Sequence, residues 1–252
     1  EYAKKALNDG INANDLKDRL DLRNEKIFTI DGSDAKDLDD AISVERTGNG
    51  YRLGVHIADV SHYVKENTTL DKEAKERGTS VYFADRVIPM LPKELSNGIC
   101  SLNGGVDRLA FSAIMELDAK GKLISYEFKK SIICSKVRGV YSEINNIISG
   151  VAEEFIKEKY SPVMDSIFLP DELADILISN AKKRGNMDLE SDESKFTLDR
   201  KGVCIAISPR TRGKSEKIIE QFMIMANQAA ALYAKSTQIP FVYRVHEEPN
   251  PE

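Results

Sequence analysis

The first half of the chain carries short runs of strand-forming apolar residues separated by turn residues. Such runs cover residues 26–30, 40–46 and 51–57. The sequence Gly-Asn-Gly at 48–50 joins the last two runs and is typical of a tight hairpin. A longer hairpin is predicted at 108–134, with its turn at 118–122. The pattern therefore predicts antiparallel strand pairing in two separate places.

Helical spacing of apolar residues, together with capping residues, predicts helices in the rest of the chain. They cover 69–77, 92–97, 143–149, 170–184 and 215–235. Thr69, Ser142 and Ser215 are the predicted N-caps, and Pro170 opens the fourth helix. In the last helix, apolar residues three or four apart should face the core: Ile218, Phe222, Met225, Ala229 and Leu232.

The remaining segments complete the prediction of the fold. Strands are expected at 195–198, 203–207 and 241–245, and the charged segment 151–169 is expected to be a helical or loop insertion. Residues 1–20 are mostly polar and predict a linker or a leading helix. The order of elements predicts an α+β fold, with a mixed, largely antiparallel β-sheet flanked by α-helices.

An acidic cluster lies between the first two predicted strands. Five aspartates fall within ten residues: Asp31, Asp34, Asp37, Asp39 and Asp40. Magnesium prefers carboxylate oxygens, and two such ions can activate a water and stabilise the leaving oxygen in phosphodiester cleavage. A solvated acidic turn is the alternative, since charge runs are usually exposed. A calcium loop counted from Asp37 would need glycine where Ile42 stands. From the residues alone, a metal site and a solvated turn both remain open.

Composition narrows the class of protein. The 252 residues are 41% hydrophobic and 31% charged, with a net charge of −5, which is ordinary for a globular protein. We find no apolar run of the ~20 residues that span a bilayer, and no secretory leader is expected at the start.

Three widely spaced cysteines suit a reducing compartment and core packing, so a cytoplasmic location is expected. Gly104-Gly105 lacks the surroundings of a phosphate-binding loop, which argues against a nucleotide cofactor.

Two segments carry a family resemblance. Residues 29–31, Thr-Ile-Asp, followed by 37–41, Asp-Leu-Asp-Asp-Ala, resemble the catalytic signature of the ribonuclease II and ribonuclease R family, with the ribonuclease R branch the closer. Further blocks follow in the family's order at 55–64, 78–82, 88–92, 95–98, 100–102, 106–108, 135–138, 219–223 and 243–247. The resemblance assigns 21–252 to the N-terminal two-thirds of an RNB-type catalytic domain.

The resemblance implies a magnesium-dependent hydrolase, with manganese as a possible substitute. Such an enzyme digests single-stranded RNA processively from its 3′ end and releases nucleoside 5′-monophosphates. It also implies a metal site made of Asp31, Asp37, Asp39 and Asp40, with Asp39 the most important for the chemistry. Asp34 falls outside this set.

Three further residues take roles from the same resemblance. Tyr82 matches a tyrosine that stacks on the 3′-terminal base, although an isolated tyrosine would more often pack in a core. Tyr141 matches a second tyrosine near the substrate, and Glu220 matches a glutamate of the catalytic channel. Without the family, Glu220 would be taken for a surface residue. The histidines at 56, 62 and 246 are expected to have structural roles.

The resemblance also implies parts that this sequence does not contain. The family's catalytic domain continues with a block that supplies a catalytic arginine, and OB-fold domains flank it. We therefore expect the isolated chain to bind magnesium but to have weak or no exonuclease activity, since the developing phosphate charge would lack that arginine. The alternatives are a non-catalytic RNA-binding relative and a scaffolding module without metal affinity.

Overall fold

A computed structural model describes residues 1–186, 194–200, 202–209 and 212–245. His246, for which a structural role was predicted, lies outside the described residues. Most described strands belong to one seven-stranded sheet. Its strands are β1 Leu20–Asp21, β2 Phe28–Asp31, β3 Asp40–Thr47, β4 Gly50–Ala58, β7 Asp107–Asp118, β8 Leu123–Cys134 and β9 Val137–Val140. They lie in the order β1-β8-β7-β4-β3-β2-β9. Two hairpins stand apart from it: β5 Val81–Tyr82 with β6 Val87–Ile88, and β10 Ser194–Leu198 with β11 Cys204–Pro209.

The sheet is mixed and largely antiparallel, so the predicted fold class is confirmed. Four strand pairs are antiparallel: β2–β3, β3–β4, β4–β7 and β7–β8. The two outer pairs, β1–β8 and β2–β9, are parallel. Both predicted hairpins are present. β3 and β4 pair from Asp40↔Ile57 to Thr47↔Gly50, and β7 and β8 pair over their length.

Helices cover both faces of the sheet. The described helices are α1 Tyr2–Asp9, α2 Val60–Tyr63, α3 Thr69–Arg77, α4 Tyr141–Ile148, α5 Glu154–Tyr160, α6 Met164–Lys183 and α7 Lys214–Thr237, with a π-helical turn at Glu94–Ile99. One core packs α4 to α7 on the face that carries Ile42 and Val55. The other face packs α1 and the π-helical turn against Ala41 and Ala110.

Several local predictions were wrong. The fourth helix begins at Met164 rather than at Pro170, because Pro170 is buried with Leu173 and Ala174 against the sheet and this burial outweighs the lost backbone hydrogen bond. Residues 241–245 form no strand, although four of the five are aromatic or β-branched. No described strand pairs with them, and a strand needs a partner for its backbone groups.

Capping and packing predictions were also revised at single positions. α4 begins at Tyr141 and α7 at Lys214, so Ser142 and Ser215 lie inside their helices. Leu232 of α7 was predicted to face the core, but it is 49% exposed. Cys204 is exposed, whereas Cys100 packs in the core as predicted.

A buried hydrogen-bond network crosses the centre of the sheet and depends on a glycine. His56 is fully buried, with Nε2 3.1 Å from Ser43 Oγ and Nδ1 2.7 Å from Ser112 Oγ. Burial lowers the pKa of His56 to about 3, so the ring is neutral. Gly54 leaves room for the network, since a Cβ there would lie 2.3 Å from Ser43 Oγ and 2.7 Å from His56 Nε2.

Replacing Gly54 with Ala is therefore expected to destabilise the fold by about 2 kcal/mol, because the added methyl must displace two buried polar side chains. Urea unfolding would measure the change. Gly48→Ala, in the turn of the same hairpin, is the control, since a Cβ there meets no atom within 4 Å. Equal stability of the two variants would contradict this role for Gly54.

Candidate active site

The acidic loop, residues 31–40, connects the paired strands β2 and β3. Asp31 ends β2 and Asp40 begins β3. Leu38 between them is buried, and its carbonyl accepts a hydrogen bond from the Leu102 amide at 2.8 Å. The Ala58 amide donates to the Asp39 carbonyl at 2.9 Å. The main chain of the loop is thus tied to the core at its C-terminal half, with Asp31, Asp37 and Asp40 partly buried and Asp34 and Asp39 exposed.

The aspartates of the loop raise one another's pKa. Burial, and then the charges of Asp40, Asp39 and Asp37, raise the pKa of Asp31 to about 7. Burial and Asp39 raise the pKa of Asp40 to about 6. Asp39 is exposed as a residue, yet partial desolvation of its carboxyl, followed by the charge of Asp37, raises its pKa as well. Each of the four predicted ligands therefore repels at least one other member of the set, which favours a shared cation.

Two carboxylate oxygens of this group lack partners. Asp31 Oδ2 and Asp40 Oδ2 are buried and form no hydrogen bond. A buried carboxylate oxygen without a partner is unfavourable, and both oxygens are of the kind that magnesium binds. Across the described ranges, however, no three His, Cys, Asp or Glu side chains converge into a closed ligand cage. The carboxylates are therefore near one another and chemically suited to a hard cation, but they do not surround a single position for it.

Tyr82 extends from the hairpin of β5 and β6 towards the acidic loop. Its side chain is 67% exposed, and its hydroxyl donates to Asp37 Oδ2 at 3.4 Å. The alternative of a packed core tyrosine is therefore wrong. The ring is exposed beside the carboxylates, where it could stack on a base.

Tyr141 approaches the loop from another side. In the parallel pairing of β2 with β9, Asp31 lies opposite Val140, and Tyr141 follows at once as the first residue of α4. Tyr141 and residues 32–34 line the same open groove of about 680 Å³. The sheet register therefore brings Tyr141 next to the acidic loop, although more than a hundred residues separate them in sequence.

Glu220 lies apart from this group. It is exposed on α7, 4.0 Å from the guanidinium of Arg212, and lines a different groove with Ile178 and Lys182 of α6. No contact between Glu220 and the aspartates is present in the described part of the chain. Its catalytic role stays a prediction.

Sequence reasoning assigned no role to two residues that contact the loop. Ser101 and Arg138 lie within blocks that resemble the family, yet neither carries a signal of its own in the sequence. Ser101 Oγ accepts from the Leu38 amide at 3.0 Å, and Arg138 Nη2 donates to the Ala35 carbonyl at 2.6 Å. Only the tertiary structure shows that both reach the main chain between the aspartates.

A comparison with protein-family models matches residues 19–252 to the RNB domain. This match covers the sheet, the acidic loop and all of the predicted site residues. The chain belongs to the RNB domain family.

Two named relatives of this RNB chain are ribonucleases R. Ribonuclease R of Thermotoga maritima is 53% identical over 240 residues, which are 94% of this chain and 33% of the relative. Ribonuclease R 1 of Lactococcus lactis is 49% identical over 245 residues, which are 97% of this chain and 30% of the relative. The chain thus spans about a third of the length of these relatives.

A solved structure shares the RNB fold of this chain. Mycoplasma genitalium RNase R, in complex with ribose-methylated single-stranded RNA, superposes with a TM-score of 0.91 at 31% identity. The superposition covers 98% of this chain and 38% of that one.

Within the residues described here, no helix is both long and apolar enough to cross a bilayer.

Proposed function

We propose that this chain supplies the acidic half of the active site of a 3′→5′ exoribonuclease. The substrate is single-stranded RNA, which the enzyme hydrolyses processively to nucleoside 5′-monophosphates by a two-metal mechanism. The observation that carries the proposal is the grouping of mutually repelling aspartates around two partnerless carboxylate oxygens, with the exposed ring of Tyr82 beside them. Membership of the RNB family and the names of the relatives support the same activity.

Asp31, Asp37, Asp39 and Asp40 would hold divalent cations, with Mg²⁺ as the natural ion and Mn²⁺ as a substitute. Their oxygens suit a hard cation, and a cation there would offset the repulsion that raises their pKa values. When bound, such ions supply a water that is a nucleophile at neutral pH and stabilise charge on the scissile phosphate. The aspartates' own contribution would be to hold the ions at a loop whose two ends belong to the paired strands β2 and β3.

The two tyrosines would act on the RNA rather than on the ions, and Glu220 would act as a catalytic residue. Tyr82 would stack on the 3′-terminal base, which any base allows because each has an aromatic face. Tyr141 would contact the RNA from the groove that it shares with residues 32–34. Glu220 would line the substrate channel. We also propose that the protein is cytoplasmic and uses no nucleotide cofactor.

Divalent-ion binding and RNA cleavage together test the proposed function. Calorimetric titration of this chain with Mn²⁺ and Mg²⁺ should show binding that Asp39→Asn weakens. The protein in its natural length should release mononucleotides from an RNA with a single-stranded 3′ tail. RNA binding without ion binding or cleavage would instead identify a non-catalytic RNA-binding relative. If the chain binds neither RNA nor divalent ions, the result would instead identify a scaffolding module.

Removing the ring of Tyr82 should weaken binding of RNA 3′ ends. Base–aromatic stacking contributes ~1–3 kcal/mol, so Tyr82→Ala should raise the Kd for a single-stranded oligonucleotide by roughly 5- to 150-fold. Tyr82→Phe keeps the ring, loses the hydrogen bond to Asp37, and should bind nearly as well as wild type. Fluorescence anisotropy in the presence of Ca²⁺ would measure binding without turnover.

An aromatic residue elsewhere on the surface serves as the control for Tyr82. Phe155 on α5 is 60% exposed, and Phe155→Ala should leave the Kd unchanged. If Tyr82→Phe weakens binding as much as Tyr82→Ala, the hydroxyl and not the ring is the important group, and the stacking role is wrong.

A further inference from the structure

We propose that Arg138 and Ser101 are positioning residues that hold the acidic loop in the single conformation in which its aspartates are grouped. This inference rests on the proposed function, because it concerns the same loop. It adds to that function two residues outside the predicted ligands and the predicted RNA contacts. Their side chains form hydrogen bonds with the main chain of residues between the aspartates.

Arg138 fastens the first half of the loop. It lies on β9, opposite Thr29 of β2, so its side chain starts next to the strand that leads into the loop. Its Nη2 donates to two loop carbonyls, at 3.1 Å to Ser33 and 2.6 Å to Ala35. One planar guanidinium nitrogen can serve two fixed acceptors, whereas a lysine ammonium on a flexible stem holds such a geometry less well.

Arg138 leaves one buried guanidinium nitrogen unpaired. Its Nε is buried without a hydrogen-bond partner, which is unfavourable for a polar group. Its positive charge also acts on Asp31, against the repulsion from the other aspartates. A side chain that leaves one donor unpaired while it binds two loop carbonyls and faces an aspartate is suited to holding the acidic loop.

Ser101 fastens the second half. Its side chain is fully buried, and its single hydroxyl makes two complementary hydrogen bonds. Oγ accepts from the Leu38 amide at 3.0 Å and donates to the Lys36 carbonyl at 3.0 Å. These two backbone groups flank Asp37, so Ser101 fixes the main chain on both sides of a predicted ligand.

Three variants separate positioning from folding. Arg138→Lys keeps the charge but not the double donation, and Ser101→Ala removes the hydroxyl without changing charge. Arg52→Gln is the control, because Arg52 is a partly buried strand arginine whose guanidinium faces Glu25 and Glu116 instead of the loop. Amide hydrogen exchange at Ala35 and Leu38 in the metal-free chain, calorimetry with Mn²⁺, and thermal unfolding would be measured for each.

In Arg138→Lys and Ser101→Ala, exchange at these loop amides should accelerate by roughly tenfold while exchange in β4 and β7 is unchanged. Mn²⁺ affinity should fall by about tenfold, the range seen when groups that orient metal ligands are removed. The control should match wild type in both measurements. Unchanged exchange in the two loop variants would overturn the inference, as would faster exchange without loss of Mn²⁺ affinity.

The same experiment separates this inference from the proposed function. If the wild-type chain binds no Mn²⁺, the proposed metal site fails. The exchange comparison would then still decide whether Arg138 and Ser101 hold the loop, although the positioning of metal ligands would be refuted along with the site.

Discussion

Asp39→Asn is expected to lower the rate of nucleotide release from single-stranded RNA by at least about 100-fold, since it weakens the hold on an ion that would stabilise transition-state charge, and loss of such stabilisation has effects of this size. The substitution preserves shape and removes one negative charge. Asp39 is the exposed member of the repelling group, and the partial desolvation of its carboxyl, followed by the charge of Asp37, raises its pKa. Single-turnover kinetics with a labelled 3′-tailed RNA, using the protein in its natural length, would measure the rate.

The loop itself offers the matched control for Asp39. Asp34 is exposed in the same loop but lies outside the four predicted ligands. Asp34→Asn should retain nearly all of the activity, and both variants should bind RNA as wild type does. If Asp34→Asn loses as much activity as Asp39→Asn, the effect arises from the overall charge of the loop, and the assignment of ligands is wrong.

The second large effect concerns stability against pH in the absence of divalent ions. The folded-state pKa of Asp31 is raised from 3.8 to about 7, so the folded protein binds more protons than the unfolded chain between these pH values. Its contribution to stability is therefore fully present below about pH 4 and is lost as pH rises through about 7. His56 acts in the opposite direction, because its pKa is lowered from 6.5 to about 3 and stability rises with pH in that window.

Comparison with Asp31→Asn isolates the contribution of Asp31, since His56 is common to both proteins. At pH 8 the metal-free variant should be more stable than wild type by about 2 kcal/mol, allowing for the water that still reaches the carboxyl. At pH 4 the difference should disappear. Urea unfolding with EDTA at both pH values would measure it, and an equal difference at the two pH values would contradict the raised pKa.

Divalent ions should reverse this order of stability. A ligand at 100 times its Kd stabilises the folded state by about 2.7 kcal/mol, so excess Mn²⁺ at pH 8 should stabilise wild type and change Asp31→Asn little. Asp118→Asn, in the remote turn between β7 and β8, is the control and should respond to Mn²⁺ as wild type does. Equal stabilisation of Asp31→Asn and wild type would show that Asp31 is not a ligand.

The difference between local and distant information explains which predictions failed. The hairpins of β3–β4 and β7–β8 were predictable because their turns and alternating side chains lie within one stretch of sequence. The start of α6 was not, because Pro170 signals a helix start locally while the surrounding core buries it inside a helix. The strand at 241–245 failed for a related reason, since local β-propensity cannot supply a pairing partner.

By itself, the sequence determined the acidic cluster, the family and the largely antiparallel character of the sheet, because each depends on residues that are close together or on ordered blocks. The tertiary structure alone decided which groups meet at the loop. It placed the Tyr82 hydroxyl on Asp37, brought Tyr141 beside Asp31 through the parallel pairing of β9 with β2, and left Glu220 in a separate groove. It also brought Arg138 and Ser101 to the backbone between the aspartates. Such contacts depend on strand order and register, which result from packing of the whole core and leave no local pattern in the chain.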